Sequence, residues 1–421
     1  MASVTILEYG LLTTEPGHDG LDRRSIPESA FEHICQLSLR WSRSGFPLLA
    51  LPEGQRALRV DNYVGVLETP CGLQLEILPK HVETDAGGLE ARRLLLRMLA
   101  ALLDIKPRQG EVADIALLRR PMTEWVARQF LEHMGHLVQR GMKFDYREEV
   151  EELGYVRGRI NMPAQLRHAG YRAHRLQVVH DVFLADGPEN RLLRSALRRI
   201  ATVTRDATNW RLARELALRT EEIPDSAHVV RDFQAWRGGR LMAHYAAIRP
   251  WCALVLGEQM PMAQAGPQRG MSMLFPMQDL FERYVTLRLR EMLKPGLSVT
   301  SQSTRHSLCR HEDKPMFQLR PDILVHGQGR LWLMDAKWKL LNGADRDGKY
   351  GITQADMYQL FAYGHHYLGG SGDMYLVYPR TSAFDRPLPP FHFSNDMRVR
   401  AIPFDCNLDN FVCEDLEFLS D

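Results

Sequence analysis

The chain reads as an α/β protein, α+β overall, in three parts. These are a small mainly β domain at 1–88, an arginine-rich helical domain with a β-hairpin at 89–255, and a mixed sheet flanked by helices at 256–421. Three observations predict this. Apolar and polar residues alternate in short runs near the N-terminus, recur at helical spacing through the middle, and mix both periods towards the end. The charge shifts in step: residues 1–90 carry 7 basic and 13 acidic side chains, whereas 91–240 carry 27 basic and 19 acidic, and nearly all of the basic ones are Arg. The whole chain, 421 residues of which 45% are hydrophobic and 25% charged, is long and apolar enough for roughly two or three buried cores.

The first part rests on alternation. Tyr63-Val-Gly-Val-Leu-Glu, the turn Thr69-Pro-Cys-Gly and Leu73-Gln-Leu-Glu-Ile-Leu form a hairpin pattern that Pro79 ends, after a helix expected at 27–40. Thr84, Asp85 and two glycines in 82–88 mark a boundary. Helices are then expected at 89–103 and 122–138. A hairpin follows, with 139–146 as one strand, 147–153 as an acidic turn and 154–160 as the return. The turn Asp186-Gly-Pro-Glu leads into a helix at 190–200, which sets Arg194 and Arg198 one turn apart on one face, and helical pattern continues through 210–219 and 226–256. In the last part a helix at 277–292 precedes strands near 297–302, 321–325 and 331–338, then a helix at 353–368 and a strand at 374–378.

Several function classes fall away on composition. A net charge of +1 with this apolar content argues against a disordered chain. The longest apolar stretch, 94–105, is broken by Arg97 and Asp104 and falls short of the ~20 residues a bilayer helix needs, so no membrane association is expected. The N-terminal Met-Ala-Ser-Val-Thr-Ile-Leu-Glu has no basic stretch before an apolar run, and the six cysteines are scattered with no Cys-x-x-Cys pair. Both features suit a cytoplasmic protein with reduced thiols. Gly343-Ala-Asp-Arg-Asp-Gly-Lys349 matches the start of a phosphate-binding loop, but Tyr350 stands where a Ser or Thr must hold Mg²⁺, so no nucleotide is expected to bind this chain. His365-His366 and Cys309-Arg-His311 lack further ligands at useful spacing.

The chemistry concentrates in Arg320-Pro-Asp322-Ile-Leu-Val, a turn, and Leu331-Trp-Leu-Met-Asp335-Ala-Lys337-Trp-Lys339. As a hairpin, this brings Asp322 and Asp335 to one end of the sheet, with Asp335 and Lys337 on the same strand face. Two carboxylates and an ammonium at one point suit a hard divalent cation such as Mg²⁺ and phosphodiester chemistry. Charged surface hairpins reach this spacing by chance, but here the charges end a strongly apolar strand. The following helix also sets Gln359 and Tyr363 one turn apart.

Pro321-Asp322…Asp335-Ala-Lys337 resembles the PD-(D/E)XK nuclease motif, and Gln359-Leu-Phe-Ala-Tyr363 resembles the Gln-x₃-Tyr element of RecB-like members. More narrowly, Leu319-Arg-Pro-Asp-Ile, Met334-Asp-Ala-Lys-Trp-Lys and Asp356-Met-Tyr-Gln-Leu-Phe-Ala-Tyr are similar to McrC, the nuclease subunit of McrBC-type modification-dependent restriction systems. Gly154-Tyr-Val-Arg-Gly-Arg-Ile and Glu189-Asn-Arg-Leu-Leu-Arg-Ser-Ala-Leu extend the likeness over roughly residues 90–390. The resemblance implies a restriction-endonuclease-like C-terminal domain and a Mg²⁺-dependent DNA endonuclease of phage defence, with Mn²⁺ as a substitute cation. Its implied partners are double-stranded DNA and an McrB-like AAA+ GTPase hexamer whose GTP hydrolysis it stimulates. It further implies that Asp322 and Asp335 ligate the metal and that Lys337 is catalytic, with Gln359 and Tyr363 beside them. Glu282 is the candidate for an additional acidic residue from the preceding helix; a solvated helix face is the other reading. The hairpin at 139–160 is expected to dock into the motor through Phe144, Tyr146, Tyr155, Arg157 and Arg159, types enriched at interface hot spots. A free-standing RecB-like repair nuclease and a non-cleaving regulator of a motor NTPase remain as alternatives. The resemblance assigns no role to the N-terminal β part.

Overall fold

The computed structural model describes residues 3–17, 20–43, 49–50, 57–80, 88–102, 121–167, 174–239, 242–257, 272–327, 329–393, 396–413 and 416–419. Contacts divide the chain into two units, Met1–Met122 with Ser272–Asp421, and Thr123–Met271. This differs from the three consecutive parts expected from composition, because the N-terminal β segment and the helix Leu89–Leu102 belong with the C-terminal sheet. The reason lies in strand pairing. Tyr63–Glu68 is buried at every position but its last and pairs antiparallel with Gln74–Leu78 on one edge and with Met273–Pro276 on the other. Gly65 makes the second pairing possible: at φ 131° its position has no room for a Cβ, which would lie 1.9 Å from the carbonyl oxygen of Met273. Ser3–Leu7 adds a parallel strand beyond Gln74–Leu78. Leu89–Leu102 packs its buried leucines against the helix Met277–Met292.

Among the described residues, the main sheet of this unit has seven strands. Ser298–Ser301, Ile323–Gly327 and Arg330–Ala336 run antiparallel in that order, then Gly372–Pro379 and Met397–Asp405 join parallel, with short strands Phe391–His392 and Asn410–Phe411 flanking the last. Met397–Asp405 has no counterpart among the expected strands, and Pro403, which has no N–H for a ladder, ordinarily stands against an interior strand. The strand is nevertheless almost entirely buried and opposes Tyr378 at that position. The helix Gln354–Leu368 begins with a capping box, in which Thr353 and Asp356 satisfy each other's backbone N–H groups, and ends at Gly369 in the left-handed conformation. Its Leu360 and Tyr363 pack into the sheet's core with Leu333, Met374 and Leu376.

In the second unit, Trp125 of Met122–Arg140 and Trp251 of Arg249–Leu256 meet edge to face, with ring centroids 5.2 Å apart. Fully buried Tyr245 accepts the Lys143 N–H and donates to Asn190 Oδ1, both at 2.7 Å. Much of the arginine excess serves this unit's own fold. Arg191 pairs with Asp186 and Asp232 at 2.9 and 3.0 Å, Arg194 donates to the Ala217 carbonyl and Thr220, and Arg198 pairs with Asp225.

The expected hairpin at 139–160 is corrected. Residues 139–140 end a helix, and the acidic segment read as a turn is the strand Asp145–Leu153, paired along its full length with Leu176–Leu184. Arg159–Ile160 pairs on the opposite edge of Leu176–Leu184, giving a three-stranded sheet rather than a two-stranded ribbon. Four glutamates hid the strand because β-propensity disfavours them; they fall on both faces, Glu148 and Glu151 exposed and Glu149 and Glu152 half-buried. Gly158, at φ 69°, lets the return segment approach: a Cβ there would meet the Val179 carbonyl oxygen at 2.3 Å. No helix among the described residues is long and apolar enough to cross a membrane.

Candidate active site

The site is built on the central antiparallel pair of the main sheet. Leu331, Trp332, Leu333 and Met334 drive Arg330–Ala336 between two neighbours, and the register places Ile323 opposite Met334, so Asp322 and Asp335 face each other at one end. Both are buried, at 8% and 1% exposure. Asp322 Oδ2 accepts the Ala336 N–H at 3.0 Å. Asp335 Oδ2 forms an ion pair with Lys337 Nζ at 2.6 Å, while Oδ1 has no hydrogen-bond partner.

Burial, and then the charge of Asp335 and of Glu282, raise the Asp322 carboxyl above its ordinary range. Asp335 is raised as well, by burial, against the pull of Lys337. Burial works against the Lys337 ammonium, but Asp335 and Asp322 outweigh it and hold its proton more tightly than usual. Two buried carboxylates therefore compete for one nearby cation.

Gln359 and Tyr363 belong to the same cluster. Gln359 Oε1 accepts from Lys337 Nζ at 3.2 Å, its Nε2 donates to the Tyr363 hydroxyl at 2.7 Å, and that hydroxyl donates to the Arg320 carbonyl at 2.9 Å. A hydrogen-bonded chain thus runs from the lysine back to the loop before Asp322. Glu282 stands nearby on Met277–Met292 and accepts from Gln302 Nε2. Burial raises its carboxyl, and so do the charges of Asp279 and Asp335. Among the described residues, however, no group of three or more His, Cys, Asp or Glu is placed to hold a metal ion together. Glu282 thus feels the aspartates without completing a three-ligand cluster with them.

Sequence reasoning missed two supporting residues. Gln278, one turn before Glu282, donates to the Ala336 carbonyl and accepts the Trp338 N–H at 2.8 Å, clasping the backbone on both sides of Lys337. Its one-turn spacing from Glu282 was the only available signal. Glu8 lies on the other side, fully buried; its Oε1 accepts from Trp338 Nε1 at 2.6 Å and from the Lys80 N–H at 2.8 Å. Nothing in Val4-Thr-Ile-Leu-Glu-Tyr-Gly marks it. A cavity of about 540 Å³ reaches from Lys337 and Gln278 to Tyr9 and Lys80.

The residues expected to contact a motor lie in the second unit. Phe144, Tyr146 and Tyr155 are exposed, and the first two gather on Phe183 with centroids 5.1 and 4.9 Å away. Arg159 pairs with Glu148 at 2.7 Å, and Arg157 is exposed.

In a comparison with solved structures, the chain is similar to one in a refined half-complex from a tetradecameric assembly of Thermococcus gammatolerans McrB AAA+ hexamers with bound McrC. The TM-score is 0.70 at 18% identity, covering 96% of this chain and 95% of that one. A chain in the cryo-EM structure of the Thermococcus gammatolerans McrBC complex matches with a TM-score of 0.52 at 19% identity, over 69% of this chain and 87% of that one. No curated protein matches in sequence. The profile of the McrBC 5-methylcytosine restriction system component family matches residues 58–379, a span that holds both aspartates, the lysine and the whole of the second unit. The chain belongs to the McrBC 5-methylcytosine restriction system component family.

Proposed function

We propose that this chain is the nuclease subunit of a McrBC-type modification-dependent restriction system. It is a Mg²⁺-dependent endonuclease with a PD-(D/E)XK site that cleaves double-stranded DNA when coupled to a McrB-like AAA+ GTPase hexamer. The observation that carries this reading is the buried pair Asp322 and Asp335 on adjacent strands, with Lys337 Nζ 2.6 Å from Asp335. The pair fits a divalent cation. Its carboxylates repel each other, and Asp335 Oδ1 is a buried acceptor without a donor, a costly arrangement unless a cation satisfies it.

Asp322 and Asp335 would hold Mg²⁺, or Mn²⁺ in its place, which when bound polarises a phosphodiester and makes water a stronger nucleophile at neutral pH. The remaining work falls to the chain's own groups. Lys337, kept protonated by Asp335, faces the phosphate oxygens where negative charge builds in the transition state. Gln359 fixes the ammonium's direction, and Tyr363 fixes Gln359. Glu282, the candidate additional acidic residue, adds negative charge that Asp322 feels and itself feels that of Asp335. In the second unit, Phe144, Tyr146, Tyr155, Arg157 and Arg159 supply the surface for the motor, whose GTP hydrolysis the chain stimulates. Support comes from their exposure and residue type, and from the structural neighbour described as McrC bound to McrB AAA+ hexamers.

The test is cleavage of methylated duplex DNA by the chain reconstituted with its motor. Asp335→Ala abolishes cleavage with the fold intact, since it removes a buried, half-unpaired charge. Lys337→Ala slows cleavage by roughly 10²–10³-fold, the usual loss of one preorganised electrostatic partner. Undiminished Mg²⁺-dependent cleavage by Asp335→Ala overturns the proposal.

A further inference from the structure

The N-terminal β segment reaches the candidate active site. Glu8 accepts from Trp338 Nε1 at 2.6 Å, one residue beyond Lys337, and from the Lys80 N–H at 2.8 Å, so the segment is tied to the end of the catalytic strand. The next residue, Tyr9, lines the cavity that also receives Lys337, Gln278 and Lys339. It is 44% exposed, and its backbone has φ 63°, in the left-handed region that disfavours residues with a Cβ. Gly10 follows immediately and would take that conformation freely, yet Tyr9 adopts it, held by its N–H to the Val60 carbonyl at 2.9 Å. A strained aromatic kept at the edge of a cavity marks a functional position.

We propose that Tyr9 is a substrate-binding residue of the nuclease, the platform against which one nucleotide of the strand being cut packs. The inference rests on the nuclease reading above and gives the N-terminal β segment its role in it. The cavity, about 540 Å³, is of a size that takes one ligand-sized group. Its lining suits a nucleotide: the aromatic Tyr9 together with the cations Lys337 and Lys339. Lys337 Nζ also pairs with Asp335 at 2.6 Å, and Glu8 is spent on Trp338 and the Lys80 N–H. Lys80 also borders it, with its charge tied to Asp22 at 2.8 Å. Asp356 borders the cavity too, but its carboxylate turns to the helix start, accepting from the Thr353 N–H and hydroxyl at 3.2 and 2.6 Å.

The test uses the full chain with its partner GTPase and linear methylated duplex DNA, comparing Tyr9→Gly and Tyr9→Phe with wild type. Glycine suits the left-handed backbone and so offsets part of the burial lost with the half-buried ring, and Tyr9→Gly stays folded, as its melting curve checks. The substitution raises KM for DNA by roughly tenfold, the loss of one aromatic stack, with kcat and stimulation of GTP hydrolysis unchanged. Tyr9→Phe keeps the platform and restores the wild-type KM. A wild-type KM in Tyr9→Gly, or a Tyr9→Phe variant as impaired as Tyr9→Gly, overturns the inference. Asp335→Ala in the same assay separates the two levels. If it is inert while Tyr9→Gly cleaves normally, only the platform falls; if it cleaves, the nuclease reading falls and the platform with it.

Discussion

Replacing Glu8 by Gln removes a carboxyl that is fully buried and pushed up to about 7 from an ordinary 4.5, mainly by burial, against the opposing pull of the Trp338 and Lys80 hydrogen bonds. The sign follows from linkage. Between those two values the unfolded chain has lost the proton and the folded chain keeps it, so stability falls as pH rises through the window and levels off above about 7. At roughly 1.4 kcal/mol for each tenfold difference in acidity, the full effect is roughly 3 kcal/mol, of which about 2–3 kcal/mol develops between pH 5 and 8. Glu8→Gln keeps an acceptor for Trp338 but leaves a buried amide N–H₂ without a partner, a cost of about 1–3 kcal/mol that does not vary with pH. The assay is urea denaturation of wild type and variant at pH 5 and pH 8. The expected outcome is a stability difference that moves in the variant's favour by about 2–3 kcal/mol as pH rises. Taking the difference cancels every other titrating group. A difference that stays flat between the two pH values refutes the buried, proton-retaining Glu8.

Two further outcomes are expected. Arg157→Ala with Arg159→Ala weakens assembly with the motor and stimulation of its GTP hydrolysis, but costs the isolated chain less than about 1 kcal/mol, because the Arg159–Glu148 pair is exposed; wild-type assembly and stimulation in a purified reconstitution refute it. Tyr363→Phe deletes the hydroxyl between Gln359 and the Arg320 carbonyl, so it lowers stability by about 1–2 kcal/mol and slows cleavage, though less than Lys337→Ala does. A wild-type cleavage rate in Tyr363→Phe shows that Gln359 orients Lys337 unaided.

Local pattern made much of this legible in advance. The strand pair carrying Asp322 and Asp335 reads directly from an apolar run that ends in charge, and period and register then follow. The helix Gln354–Leu368 lies where it is expected, at 353–368, and the four-residue spacing of Gln359 and Tyr363 sets them on one face. Residues 147–153, expected as a turn, belong to the strand Asp145–Leu153, which lacks such a local pattern. Its glutamates fall on both faces, so the segment shows no alternation, and its partner Leu176–Leu184 comes after further intervening chain. Glu282 is placed by its helix: its carboxylate accepts from Gln302, and among the described residues it forms no three-ligand cluster with the aspartates.

By itself, the sequence determined the residue types and spacings that make the chemistry: two aspartates, a lysine two residues on, and a glutamine and tyrosine one helical turn apart. Periodicity of 2.0 and 3.6 residues is local and survives without knowledge of the fold. Tertiary structure alone decided that the N-terminal β segment shares a unit with the strands carrying Asp322 and Asp335, through Gly65 opposite Met273 and Glu8 against Trp338. Such contacts join positions hundreds of residues apart. They depend on close packing and on the pairing of buried polar groups, neither of which leaves a periodic trace along the chain.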